Sequence, residues 1–215
     1  MENLILASNS PRRRDLLALF DWPFEVVPAD INEDRQPAEA PVAYVRRLAV
    51  EKAQIVAESR KGLIVAADTI VVKGDELLGK PQDDEDARQM LNRLRGRIHQ
   101  VYTGIALIET TTGQTFDDVC GTDVPMRNYS DDEINAYIAT RDPLDKAGAY
   151  AIQHAGFHPV EGLTGCFASV MGLPLCHLAV GFRQFGWRAP ADLADRCQAL
   201  LNYHCPIWKE VLGSV

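Results

Sequence analysis

A group of hydroxyl and guanidinium side chains follows the first apolar run of the chain, residues 4–7. Ser10 can cap a helix, and Pro11 suits its first turn because proline lacks the amide proton left unpaired there. Arg12 and Arg13 follow at once, and planar guanidinium groups grip phosphate oxygens in pairs. The pattern predicts a polyphosphate site at the start of a helix. The alternative is an ordinary strand, turn and helix with surface arginines.

A single carboxylate interrupts the most apolar run of the chain. Leu63–Val72 is rich in branched residues, which is typical of a central strand buried on both faces, and Asp68 lies within it. A buried ion costs several kcal/mol unless a metal or hydrogen bonds compensate it. Asp68 is therefore predicted to be a metal ligand or general base, with Thr69 adding a hydroxyl contact. The alternative is an aspartate bonded to nearby backbone amides.

Other charged residues complete a set that fits a nucleotide. Lys52 lies among apolar neighbours on a predicted helix, and Lys80 stands in a Gly-Lys-Pro junction after a strand. Lysines are common point charges for phosphate. Glu33, in a polar loop, would supply a second carboxylate for a divalent metal. The alternative for each residue is a solvated position on the surface.

Periodicity and turn residues predict the elements that must position these side chains. After the first strand and helix, the pattern predicts a β-type run at Pro23–Val27, a loop at Pro28–Pro41 and a helix from Val42 to about Ser59. A turn at 73–75, a helix from about Asp83 to Leu94, antiparallel strands at Gln100–Ile108 and Gln114–Arg127, and a helix capped by Ser130 and Glu133 that ends near Ala139 are predicted next. The last predicted elements are short strands from Gly148 onward, a helix after Pro174, and a helical tail at Ala189–Val211 broken at Pro206.

Composition restricts the class of partner. The chain has 215 residues and a net charge of −8, which opposes binding to a nucleic acid polymer but not to a small nucleotide that brings its own metal. No apolar run approaches the roughly 18 residues of a membrane span, and no signal-peptide pattern is present. The five cysteines are odd in number, which favours reduced thiols. These features predict a cytoplasmic protein that does not enter a membrane.

Five short motifs, taken together, resemble the Maf family of nucleoside triphosphate pyrophosphatases. They are Leu6–Arg13, Glu51–Ala53, Ala67–Thr69, Gly79–Pro81 and Gly172–Leu175. The resemblance covers about residues 3–180. Within that range, the sequence of Asp145–Gln153 resembles that of the subgroup of the family that hydrolyses dTTP and UTP.

The resemblance implies a role for each candidate residue. Asp68 would be the general base that activates water for attack at the α-phosphorus, releasing a monophosphate and pyrophosphate, with Lys52 and Lys80 as further catalytic residues. Glu33 and Asp68 would hold Mg²⁺ or Mn²⁺. Phosphates would be bound by Ser8, Arg12, Arg13, Lys52 and Lys80, and the base would be selected by Arg12, Thr69 and Gln153.

The resemblance also implies an α/β fold in which a long mixed sheet is flanked by helices, with a nucleotide cleft between two lobes. We expect the Maf-like domain at 1–180, a helical extension at 181–215 packed on it, and a homodimer. Two alternative functions stay open: the same reaction on modified or methylated nucleotides, and a non-catalytic regulator of cell division that binds nucleotides. Cys197, His204 and Cys205, with Cys176 and His177, could form a zinc site, but their spacing matches no common ligand pattern, which favours packing or dimer contact.

Overall fold

A computed structural model describes residues 3–213 of the chain, and its centre is one six-stranded sheet. The strands are β1 (Leu4–Leu6), β2 (Phe24–Val26), β3 (Leu63–Lys73), β4 (Glu76–Leu78), β5 (Ile98–Glu109) and β6 (Thr115–Pro125). Their order is β2-β1-β3-β5-β6, and β4 pairs with β3. Strands β2, β1 and β3 are parallel, whereas β3, β5 and β6 are antiparallel, so the predicted mixed sheet is confirmed.

Helices begin where the sequence supplies caps. The Ser10 side chain accepts a hydrogen bond from the backbone N–H of Arg13, and Ser130 and Glu133 form a capping box. Both caps were predicted and are confirmed. The helices are α1 (Pro11–Leu17), α2 (Pro41–Ala57), α3 (Asp84–Leu94), α4 (Asp131–Ala139), α5 (Phe167–Met171), α6 (Leu175–Gln184), α7 (Leu193–Leu201) and α8 (Trp208–Gly213).

The sheet has a gap along one edge of β3. Strand β1 pairs with residues 63–65 of that edge, and β4 pairs with residues 71–73. The ladders described on this edge thus leave residues 66–70 without a strand partner, while residues 63–72 of the other edge pair with β5. Asp68 and Thr69 lie in the gap. Because β1 also ends here, the loop after it and the start of α1 face the same opening.

Strand alternation sends the two gap residues to opposite faces of the sheet. Even-numbered residues of β3, such as Ile64 and Ala66, pack with α2, and odd-numbered ones, such as Val65 and Ala67, pack in the core with α1 and α6. A further core encloses α3 and α4 at the other end of the sheet. Asp68 therefore faces α2, and Thr69 faces the opposite layer.

The strands predicted from Gly148 onward are wrong. In this described region, residues 148–166 run through turns, and their one β contact is the isolated bridge of Val160 to Met126. Positive φ angles at Gly148 (70°), Ala149 (58°) and His158 (42°) repeatedly reverse the chain. Such angles are incompatible with extended pairing. The segment folds over the cleft as a series of turns.

The predicted helical tail is confirmed at α7 and α8, with a break around Pro206. The tail packs on the core through Leu193, and Trp187 contacts Trp22 edge to face at 5.0 Å. Among residues 3–213 no helix is both long and apolar enough to cross a membrane. The predicted domain boundary near residue 180 stays a prediction.

Candidate active site

One cleft of about 470 Å³ opens at the gap in β3. This volume lies in the range of pockets that hold small ligands. All of the site residues predicted from sequence line it, so the fold brings them together. They are Ser8, Arg12, Arg13, Glu33, Lys52, Asp68, Thr69, Lys80 and Gln153.

Lys52 joins the two predicted metal-binding carboxylates. Its Nζ lies 2.6 Å from Asp68 Oδ1 and 2.6 Å from Glu33 Oε1. The Lys52 and Asp68 side chains are each 10% exposed, whereas that of Glu33 is 58% exposed. A buried carboxylate needs such a partner. The lysine therefore balances the charge of Asp68 and aims both carboxylates at one point in the cleft.

Arg13 is fixed from three sides. Its Nε donates to the Gly172 carbonyl oxygen at 2.8 Å, one Nη donates to Thr69 Oγ1 at 3.1 Å, and the other donates to Ser8 Oγ at 3.4 Å. Burial lowers the pKa of Arg13, and the nearby Asp68 carboxylate partly offsets this shift. The side chain stays cationic at neutral pH. Because these bonds leave N–H groups free, Arg13 can still donate to a phosphate.

The contact between Arg13 and Gly172 requires a glycine. Gly172 ends α5 with a φ of +108°, a conformation that L side chains rarely adopt. A Cβ atom there would lie 3.2 Å from both Arg13 Nε and Thr69 Oγ1. The Thr69 hydroxyl is hydrogen-bonded to the Thr103 hydroxyl at 2.9 Å, and the Thr103 hydroxyl donates to the Ser169 carbonyl oxygen at 2.7 Å. This chain of hydrogen bonds ties β3 and β5 to α5 directly behind Arg13.

The loop that carries Glu33 is held against α2. Tyr44 donates to the Glu33 carbonyl at 2.5 Å, and Arg47 donates to the Asp34 carbonyl at 3.1 Å. Arg47 also bonds both carboxylate oxygens of Glu39, at 2.7 and 2.9 Å. This hydrogen bonding lowers the pKa of Glu39 to about 2. The predicted loop is confirmed, and these bonds hold Glu33 at the edge of the cleft.

Sequence reasoning gave no role to Lys146, which also lines the cleft. The residue is 8% exposed, and its Nζ lies 2.6 Å from Asp145 Oδ1 and 3.0 Å from Asp142 Oδ1. The Asp145–Gln153 motif contains it, but the spacing alone gave no reason to aim it inward. Counting Lys146, the cleft has five cationic and three anionic side chains. This acidic protein thus has a positively charged pocket, suited to a small anion.

A buried histidine supports the cleft from behind. His99 is fully buried, and its Nε2 lies 2.8 Å from the hydroxyl of Tyr150, a cleft-lining residue. Burial, aided by the charge of Lys73 and opposed by Asp123, lowers the pKa of His99 to about 4. His99 is therefore neutral at physiological pH and serves as a fixed neighbour of Tyr150.

The lowered pKa of His99 predicts a loss of stability in acid. Unfolded histidine takes up a proton as the pH falls through 6.5, but the folded protein resists protonation until about pH 4. We expect this residue to remove about 3 kcal/mol from the free energy of unfolding across that window. Denaturant unfolding of wild type and His99→Gln at several pH values measures it. A variant with the same pH slope as wild type would contradict the assignment.

Of the candidate zinc ligands, the three cysteines line one pocket, and neither His177 nor His204 is among the residues that line it. His177 lies against Asp118, 2.7 Å from its Oδ2, and Cys176, Cys197 and Cys205 line an apolar pocket. Within residues 3–213 no group of three or more histidine, cysteine or acidic side chains could hold a metal ion. The zinc alternative gains no support from this arrangement.

The mixed sheet opens at β3 over a buried carboxylate and an anchored arginine, an arrangement suited to a small polyanion. The model of the Maf-like protein family matches residues 3–185. The chain belongs to the Maf-like protein family.

Relatives of the chain are similar over nearly their whole length. A dTTP/UTP pyrophosphatase from Citrifermentans bemidjiense is 45% identical over 86% of this chain and 96% of its own length. A dTTP/UTP pyrophosphatase from Anaeromyxobacter dehalogenans is 46% identical over 87% and 96% of the two chains. The crystal structure of a dITP/XTP pyrophosphatase from Mycobacterium abscessus is 13% identical, covers 86% of this chain and 96% of that one, and has a TM-score of 0.42.

Proposed function

We propose that this protein is a nucleoside triphosphate pyrophosphatase that hydrolyses dTTP and UTP to the monophosphate and pyrophosphate. The observation that carries the proposal is the buried Asp68 carboxylate, held by Lys52 in a cleft that the anchored Arg13 also lines. Relatives that are more than 40% identical over most of the chain are named dTTP/UTP pyrophosphatases. A house-cleaning role in nucleotide metabolism follows from this activity.

The reaction is a displacement at phosphorus. Asp68 accepts a proton from water, the water oxygen forms a bond to the α-phosphorus, and the bond from that phosphorus to the bridging oxygen breaks. Pyrophosphate leaves with the electron pair of the broken bond. Arg13, Lys80 and Arg12 stabilise the negative charge that develops on the phosphate oxygens. Ser8 lies beside Arg13 and holds it toward them.

A divalent metal suits the donor set. Magnesium is often held by one or two carboxylates together with substrate phosphates, and Glu33 and Asp68 converge on one point next to Lys52. We propose that these two residues hold Mg²⁺ or Mn²⁺, which would neutralise phosphate charge when bound. Asp68 then has two tasks, because it also accepts the proton of the attacking water.

Gln153 is the proposed selector of the base. It is exposed at the end of the cleft that is formed by the turns after Gly148. Its amide can donate to a carbonyl oxygen of uracil or thymine and accept from the ring N–H. Arg12 and Thr69 would complete the selection, although Thr69 also holds Arg13.

Replacing Gln153 tests this pairing. In Gln153→Glu the side chain loses its donor, so we expect kcat/KM for dTTP and UTP to fall about 10- to 100-fold. Activity on purine triphosphates, measured in the same assay, serves as the internal control because it does not use this pairing. An equal loss on every nucleotide would mean that the residue does not read the base.

The central experiment measures pyrophosphate release from canonical and modified nucleoside triphosphates with Mg²⁺ or Mn²⁺. We expect dTTP and UTP to be hydrolysed with kcat/KM at least about 10-fold above that of purine nucleotides. Higher kcat/KM on methylated or otherwise modified pyrimidines would favour the second candidate function, which uses the same site. Binding without turnover at substrate excess would favour the nucleotide-binding regulator of cell division.

Two further predictions accompany the proposed function. A homodimer is expected from the family resemblance, and a cytoplasmic location is expected from the odd number of cysteines, which favours reduced thiols. Light scattering measures the oligomeric state of the purified chain, and fractionation of the cell measures its location. The exposed hydrophobic side chains of Val26 and Val42, both at 39% or more, are candidate contact residues.

A further inference from the structure

The segment beyond the family match contacts both elements that hold Arg13. The match ends at residue 185, and we call residues 187–213 the C-terminal segment. It contains α7 and α8. The dTTP/UTP pyrophosphatase from Citrifermentans bemidjiense aligns over 96% of its own length but with only 86% of this chain. The C-terminal segment therefore lies outside the part of the chain that aligns with this relative.

The first contact is with the end of α1, the helix that carries Arg13. Arg196, on α7, donates to the Leu19 carbonyl at 3.4 Å and forms an ion pair with Asp21. Asp192 holds the same guanidinium at 2.9 Å. Because Leu19 lies in the turn that continues α1, Arg196 restrains the far end of that helix.

The second contact is with the chain that enters α5. The Tyr203 hydroxyl, just after α7, lies 3.1 Å from the Leu163 carbonyl oxygen and 2.9 Å from that of Gly165. Its ring contacts Phe167, the first residue of α5, at 5.4 Å between centroids. Tyr203 therefore restrains both the backbone that leads into α5 and the start of that helix.

Arg13 bridges the two restrained elements. It extends from α1, and its Nε donates to Gly172, the residue that ends α5. Helix α5 has only five residues, and a helix this short has little stability without tertiary contacts. A shift of α5 relative to α1 would therefore move the carbonyl that orients the guanidinium.

We infer that the C-terminal segment is a brace that sets the position of Arg13, and that Tyr203 and Arg196 are positioning residues for the reaction. This inference rests on the proposed function, in which Arg13 binds the phosphates. Loss of the brace leaves the cleft intact but lets the guanidinium depart from its best position. The loss of kcat/KM that follows removal of a brace contact should therefore be large only when Arg13 is present.

A double-mutant cycle separates this role from general stabilisation. Tyr203→Phe removes the hydroxyl but keeps the ring against Phe167, and we expect kcat/KM for dTTP to fall about 3- to 10-fold. In an Arg13→Lys background the same substitution should change kcat/KM less than about 2-fold. Tyr102→Phe, on the α2 face of the sheet, is the matched hydroxyl deletion and should leave activity at the wild-type level.

Hydrogen exchange gives a readout that does not need turnover. The amides of Val170, Gly172 and Leu173 donate within α5 and its end, and we expect them to exchange faster in Tyr203→Phe than in wild type. Equal losses of kcat/KM in both backgrounds, or unchanged activity with unchanged exchange, would overturn the brace. If the wild type hydrolyses no triphosphate, the proposed function fails. The exchange rates then still decide whether Tyr203 restrains α5.

Discussion

Asp68→Asn should lower kcat by about 1,000-fold, because an amide cannot accept the proton of the attacking water. Nucleotide binding should survive, since the Asn oxygen can still accept from Lys52, whose Nζ lies 2.6 Å from Asp68 Oδ1. We therefore expect a dissociation constant for dTTP within a few-fold of the wild-type KM. Pyrophosphate release measures turnover, and calorimetry with dTTP and Mg²⁺ measures binding.

Asp145→Asn is a matched control for the loss of charge. Asp145 also lines the cleft and holds a lysine, Lys146, at 2.6 Å. Its replacement removes the same unit of charge without removing the proposed base, so the loss of kcat should be below about 10-fold. If Asp68→Asn retained more than a tenth of wild-type kcat, Asp68 could not be the general base.

Local signals were sufficient to predict much of the site. Asp68 was identified because a charge within a branched apolar run needs compensation, and the structure confirms that it is buried and paired. The Ser10 cap and Pro11 located the start of α1, which placed Arg13 at the cleft. Each of these inferences depends on a few neighbouring residues, whose preferences are strong.

Contacts between distant residues could not be predicted in the same way. The bond from Arg13 to Gly172 joins residues 159 positions apart, and the sequence gives no register for such a pair. Glycine in the Gly172–Leu175 motif predicted only a turn before a helix. That its carbonyl faces a guanidinium follows from how α5 packs on β5, which is a property of the folded chain.

The turns after Gly148 show where local reasoning failed. Short strands were predicted from Gly148 onward, and the apolar residues Tyr150 and Ile152 in this segment are indeed buried. Their burial comes from packing of the turns against α3 and α4, and positive φ angles at Gly148 and Ala149 prevent pairing. A short apolar run therefore indicates burial but does not by itself indicate an extended backbone.

Lys52→Met should lower kcat/KM because it removes the positive charge that pairs with the Glu33 and Asp68 carboxylates. Without the ammonium, Glu33 and the buried Asp68 face each other uncompensated, so we expect the free energy of unfolding to fall by about 2 kcal/mol. We also expect kcat/KM to fall about 100-fold at low metal concentration. A divalent cation can occupy the vacated position between the carboxylates, so part of the activity should return as Mg²⁺ or Mn²⁺ is raised.

Lys80→Met separates this effect from the simple loss of a positive charge. Lys80 lines the same cleft from the end of β4 but lies outside the Glu33–Lys52–Asp68 ion pairs. We expect it to reduce kcat/KM with no increase in the metal concentration needed for half-maximal activity. An identical metal response in the two variants would mean that Lys52 contributes only charge toward the phosphates. A recovery confined to Lys52→Met would instead show that the ammonium and the metal balance the same two carboxylates.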